Sequence, residues 1–139
     1  MSAEGGSADR KAIGRRTRAA IEAYVEAWRT GDRDALLAVF AEDAIWEDPV
    51  GTPPWRGREG VGRFWDQAHG GGATLTPKVQ RVIVCGHEGM LLFRMIVRTA
   101  EGGGMGIDVC DHMQVDDAGR ITVARAYWDQ QCIVPLAEC

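Results

Sequence analysis

Gly106-Ile107-Asp108-Val109-Cys110-Asp111-His112-Met113-Gln114-Val115 alternates as a β-strand does, with Ile107, Val109, Met113 and Val115 on one face. Asp111 falls in the middle of that apolar face, and Asp108 falls on the other. A carboxyl held among apolar side chains resists ionisation, because a low-dielectric surrounding penalises the charged form and raises the pKa. Such an acid keeps a proton that it can donate near neutral pH.

Outward from this stretch, residues 74–85, 90–99 and 121–128 also read as strands, joined by Gly-rich or Asp-Gly turns such as Asp117-Ala118-Gly119. Helices precede them. Ile13, Thr17, Ile21, Tyr24, Val25 and Trp28 recur at helical spacing until Gly31, Asp32 can cap a second helix through Phe40, and a third from about Arg58 to Ala68 buries Val61, Phe64 and Trp65. Between the last two, Ala44–Glu47 reads as a short strand running into a turn, Asp48 to Pro54. Residues 1–8 are small and polar and are expected to be disordered, leaving 9–139 as a single domain. Helices first and long antiparallel strands afterwards predict an α+β layer in which a curved antiparallel sheet wraps three N-terminal helices and leaves a cavity.

Bulk composition narrows the function. A chain of 139 residues is one domain with room for a real core, and its net charge of −4 offers no footprint for nucleic acid or an anionic membrane. The basic run Arg10, Lys11, Arg15, Arg16, Arg18 reads as the solvated start of a helix, since acids interrupt the apolar stretch that an export signal needs. Nothing approaches the roughly 18 consecutive apolar residues of a membrane span. Cys85, Cys110, Cys132 and Cys139 show no paired spacing, which suits free thiols and a cytoplasmic location.

Several chemistries drop out. The serines are Ser2 and Ser7, both in the N-terminal lead, and His69-Gly70-Gly71-Gly72 lacks the GxSxG partner of a lipase. Lys11 and Lys78 are poorly placed for catalysis. His69, His87 and His112 have no metal-ligand spacing, so no metal is expected.

The strings Trp46-Glu47-Asp48-Pro49-Val50-Gly51-Thr52-Pro53-Pro54, Gly57-Arg58-Glu59, Gly70-Gly71-Gly72, Asp108-Val109-Cys110-Asp111-His112-Met113 and Ala126-Tyr127-Trp128 together resemble bacterial ketosteroid isomerase, in order and in spacing, from about Tyr24 to Trp128. The resemblance implies a conical, cystatin-like α+β fold shared with nuclear transport factor and polyketide cyclase relatives, a homodimer, and no cofactor. It implies Asp48 as the base, with Tyr24 and Asp111 forming the oxyanion hole; a carboxylic acid kept neutral by an apolar site is a device of that family. The implied reaction moves the double bond of a 3-oxo-Δ5-steroid, or a similar β,γ-unsaturated ketone, into conjugation by intramolecular proton transfer.

Trp46, Phe64, Phe93, Met113 and Trp128 are candidates to line an apolar slot for a flat substrate, although packing within a core explains the same side chains. Tyrosines that extend the network behind the helix tyrosine in some family members correspond here to Trp65 and Phe40. Phenylalanine donates nothing, and an indole donates but does not accept, so Trp65 is a substitute donor or a wall. Taken singly, Tyr24 also reads as an amphipathic core tyrosine and Asp48 as a turn-forming aspartate. Epoxide hydrolysis, polyketide or polyether cyclisation, and simple sequestration of an apolar ligand are the alternatives on the same fold.

Overall fold

The computed structural model describes residues 3–139, with side chains from Asp9 onward. Helix α1, Ala3–Thr30, buries Thr17, Ala20, Ile21, Tyr24, Ala27 and Trp28, the stripe that a three-four spacing dictates. It begins upstream of the expected start. Met1 and Ser2 of the lead expected to be disordered lie outside the described residues, while from Ala3 the backbone is helical, since extending a nucleated helix gains a hydrogen bond per residue.

The end of α1 is sharply defined. Gly31 adopts φ +68°, its N–H donates to Trp28 O, and the Asp32 N–H donates to Ala27 O over 3.0 Å, which together make a Schellman stop. Asp32 then accepts from the Ala35 N–H and caps α2, Arg33–Val39.

Strand β1, Phe40–Glu47, follows directly and starts four residues earlier than expected, because Phe40 and Ala41 are themselves buried and Phe40 pairs with Ile121 across a register shift. After β2, Trp55–Arg56, comes α3, Gly57–Ala68, tied to α2 by Arg33 hydrogen-bonded twice to Asp66. The long strands are β3, Thr74–Cys85, β4, Glu88–Arg98, β5, Gly104–Val115, and β6, Ile121–Tyr127; β7, Ile133–Pro135, closes the set.

The sheet runs β2-β1-β6-β5-β4-β3, with β7 also on β5, and its ends do not meet. It is mixed rather than purely antiparallel. β1 lies parallel to β6, since four further strands separate them in the chain and no hairpin dictates their direction. Register shifts in the β1–β6, β3–β4 and β5–β6 pairings bend it, as bulges do.

Helix α1 packs across β3, β4 and β5. Gly89 permits that approach: a Cβ there would collide with Ile21 Cδ1, and Ile21 is completely buried. The Thr17 hydroxyl, 2.7 Å from Gly86 O and 3.0 Å from Ile13 O, ties the same helix to the β3–β4 turn. Among the described residues no helix is long and apolar enough to cross a membrane, and the four cysteines are free thiols.

Candidate active site

Between the helices and the curved sheet lies a cavity of about 390 Å³. Its walls follow from strand parity. Phe93, Met95 and Val97 of β4 and Met105, Ile107 and Val109 of β5 are alternate residues, so each strand turns one face inward. Tyr24 and Trp28 of α1, Phe64, Gln67 and Ala68 of α3, Leu75 of β3, Asp48 and Trp128 complete it. The wall is mostly apolar, with a few polar groups able to orient a ligand.

Asp48 stands where β1 gives way to a turn. The Thr52 N–H donates to Pro49 O at 3.2 Å, Gly51 takes φ +98° at the position where such a turn favours glycine, and the Val50 N–H donates to Ala126 O at 2.8 Å. The turn is thereby pinned to β6, beside the residue that precedes Tyr127 and Trp128. The Trp128 indole Nε1–H donates to Asp48 Oδ1 at 2.7 Å. Burial pushes the Asp48 carboxyl up to about 6, and the Trp128 and Trp46 indoles limit the rise. A carboxylate so tuned is ionised at neutral pH, yet is a better proton acceptor than an ordinary aspartate.

Asp111 lies opposite Leu91 on β4 and Ala126 on β6, and it is 1% exposed. Both of its carboxyl oxygens are buried without a hydrogen-bond partner. Burial first, and the Asp48 charge second, hold its pKa well above the ordinary range, while Tyr24 beside it pulls the other way. Asp108, three residues earlier, faces outward and is doubly hydrogen-bonded to Arg94. The alternation read from the sequence is therefore the one observed.

Tyr24 is buried, and burial, then the charges of Asp111 and Asp48, raise its hydroxyl well above its usual value. The hydroxyl therefore keeps its proton at neutral pH, and its ring is held in an aromatic collar: Trp28, Phe40 and Trp46 meet it edge-on at 6.3, 6.2 and 6.0 Å.

The structure thus brings Tyr24, Asp48 and Asp111 from three separate elements into one electrostatic unit. Of the other side chains expected beside a ligand, Phe64, Phe93 and Trp128 line the cavity. Trp46, Trp65 and Met113 are core residues outside its wall: Trp46 stacks on Phe40 at 5.2 Å, Trp65 on Trp28 at 4.5 Å, and Met113 is fully buried. Asp111 also stands behind the wall rather than on it, next to Tyr24. Sequence reasoning overlooked Trp28, Gln67, Leu75, Met95, Val97 and Met105 as lining residues. Period-two spacing from Phe93 and from Ile107 would have found Met95, Val97 and Met105; Gln67, an exposed residue of α3, carried no signal. Among the described residues no three His, Cys, Asp or Glu side chains cluster as a metal site.

Comparison with known proteins agrees with this architecture. The chain is 34% identical over 112 residues to the steroid Δ-isomerase of Nocardioides simplex, spanning 80% of this chain and 88% of that enzyme. Its fold matches the Δ5-3-ketosteroid isomerase from a Mycobacterium species, with a TM-score of 0.78, 24% identity and coverage of 86% and 97% of the two chains. It also matches an M. tuberculosis LEH-like epoxide hydrolase, with a TM-score of 0.75, 24% identity and coverage of 86% of each. The SnoaL-like domain family matches residues 21–124, so the chain belongs to the SnoaL-like family on the nuclear-transport-factor-like fold and is a homologue of a steroid Δ-isomerase.

Proposed function

We propose that the protein is a cofactor-independent isomerase that moves the double bond of a 3-oxo-Δ5-steroid, or a similar β,γ-unsaturated ketone, into conjugation. The observation that carries the reading is the pairing of Asp48, poised near pH 6 on an apolar wall, with two neutral donors, Tyr24 and Asp111, buried together. Asp48 takes the proton from the carbon between carbonyl and alkene. The electron pair left behind delocalises through the alkene and onto the ketone oxygen as a dienolate. Tyr24 donates to that oxygen, and Asp111 adds a second donor from behind the wall. The proton then returns from Asp48 to the far alkene carbon, so no proton is gained or lost overall.

Each donor supplies about 3–4 kcal/mol of such charge stabilisation in a site sheltered from water. Trp128 has two tasks in this scheme, since it walls the cavity and orients the base through Asp48 Oδ1. The implied homodimer and cytoplasmic location belong to the same proposal, and sedimentation of the purified protein tests the first.

The test is the growth of conjugated-enone absorbance with purified protein and a β,γ-unsaturated steroid ketone. Asp48→Asn is expected to slow it by about a hundred- to ten-thousand-fold, the usual worth of a positioned base. A wild-type protein as inert as Asp48→Asn overturns the reading. Two carboxyl groups of opposite protonation state also suit acid–base opening of an epoxide. Incorporation of heavy oxygen from labelled water into product would select that chemistry, since isomerisation takes no oxygen from solvent.

A further inference from the structure

Behind the Tyr24 hydroxyl, the two positions considered for support turn out to give none directly. Phe40 meets Tyr24 edge-on with a ring that has no donor, and Trp65 is stacked against Trp28 at 4.5 Å and 29°. Trp28 itself is the indole beside the tyrosine. It sits one turn along α1 from Tyr24, meets that ring edge-on at 6.3 Å and 70°, and shares the cavity wall with it.

Its Nε1 is buried and has no hydrogen-bond partner. Leaving a buried donor unpaired is costly, so such groups concentrate where a partner forms during function. The other buried polar side-chain atoms without partners, among the described residues, are Trp46 Nε1 and the two Asp111 oxygens, all around the same tyrosine. Trp46 acts on Asp48, whose carboxyl it pulls down. Trp28 acts on Tyr24, whose hydroxyl it pulls down against burial and the charges of Asp111 and Asp48.

Trp28 is also held in place from behind. His69 stacks on it at 5.6 Å with planes 6° apart, and His69 is fixed by its Nδ1, 2.8 Å from Trp65 O. The titratable groups around the pair are Asp48 at the end of β1, Asp111 on β5, and His69 after α3.

We propose that Trp28 is a positioning residue whose indole N–H donates to the Tyr24 oxygen when Tyr24 donates to a negatively charged ligand oxygen, so that the two hydrogen bonds reinforce each other. A donor on the tyrosine oxygen makes its O–H a stronger donor in turn. The inference rests on Tyr24 being the oxyanion donor, but it does not require turnover.

Calorimetric titration with naphthol and with its methyl ether tests it, because the two share a shape and only the first can become an oxyanion. Trp28→Phe is expected to weaken naphthol binding about tenfold, the worth of one hydrogen bond, and to leave the ether unchanged. In a Tyr24→Phe background the same substitution is expected to change neither. Equal weakening of both ligands, no weakening of naphthol, or a naphthol loss that persists without the Tyr24 hydroxyl each overturns the proposal.

Should Trp28→Phe fail to fold, nitrogen NMR of the five indole N–H groups keeps the question open to experiment. The Trp28 signal is expected to move downfield on adding naphthol to the wild type and to stay put in Tyr24→Phe; an unmoved Trp28 signal in the wild type overturns the proposal, whatever Trp128 on the same wall does. Neither ligand is a substrate, so absence of isomerase activity leaves these outcomes readable, and an active isomerase without the naphthol–ether difference sinks only the role of Trp28.

Discussion

Asp111 is 1% exposed with both oxygens unpartnered, an arrangement that a merely structural acid would not retain cheaply. Its worth as a donor is separable from its shape. Asp111→Ala removes the donor and is expected to lower kcat by about a hundred- to thousand-fold, whereas Asp111→Asn keeps an N–H and is expected to lose much less. Enone absorbance kinetics on both variants checks this, and equal losses would deny Asp111 its donor role. Its inward orientation was legible from strand alternation alone. The placement of Asp48 was not: a turn has no period, and only the Val50–Ala126 hydrogen bond and the Trp128 indole define where its carboxyl sits.

The α1–sheet contact rests on a missing side chain at Gly89. Gly89→Ala would force Ile21 out of its seat, and overpacking of this kind is expected to cost about 1–3 kcal/mol. A lower urea midpoint with an unchanged slope is the expected signature. Elements with many periodic residues were readable beforehand: the helical stripe of α1, the strand β3 and the cap at Asp32 all match. What escaped has no local signal. Strands β2 and β7 are two and three residues long and exist through their neighbours, and the parallel β1–β6 pairing joins segments some 80 residues apart. Trp46, Trp65 and Met113 were misjudged as cavity walls for a similar reason, since composition does not distinguish a side chain facing a void from one facing a packed core.

For the molecule as a whole, two buried acids with raised pKa values, Asp48 and Asp111, make stability depend on pH in one direction. The folded protein binds a proton at Asp48 up to about pH 6, whereas the unfolded chain releases it near 3.8. Folded therefore holds more protons than unfolded across that window, and the contribution is present below it and lost as pH rises through it. The loss for Asp48 is on the order of 2–3 kcal/mol. Asp48→Asn has nothing to ionise, so its melting temperature is expected to exceed that of the wild type at pH 8 and to converge with it at pH 4. Calorimetric scans at the two pH values check the sign, and an advantage confined to acid would contradict the buried-base assignment. Asp108, held low by Arg94, acts oppositely and is lost only in stronger acid.

The aromatic collar has one more consequence. Trp28 lies 4.5 Å from Trp65 and 6.4 Å from Trp46, ring centre to ring centre, and Trp128 shares the cavity wall with Trp28. Light absorbed by one indole can pass to its neighbours, and a quencher entering the cavity then dims more than the ring that it touches. The protein carries its own optical gauge of occupancy, and its native emission can follow each titration described above without a label.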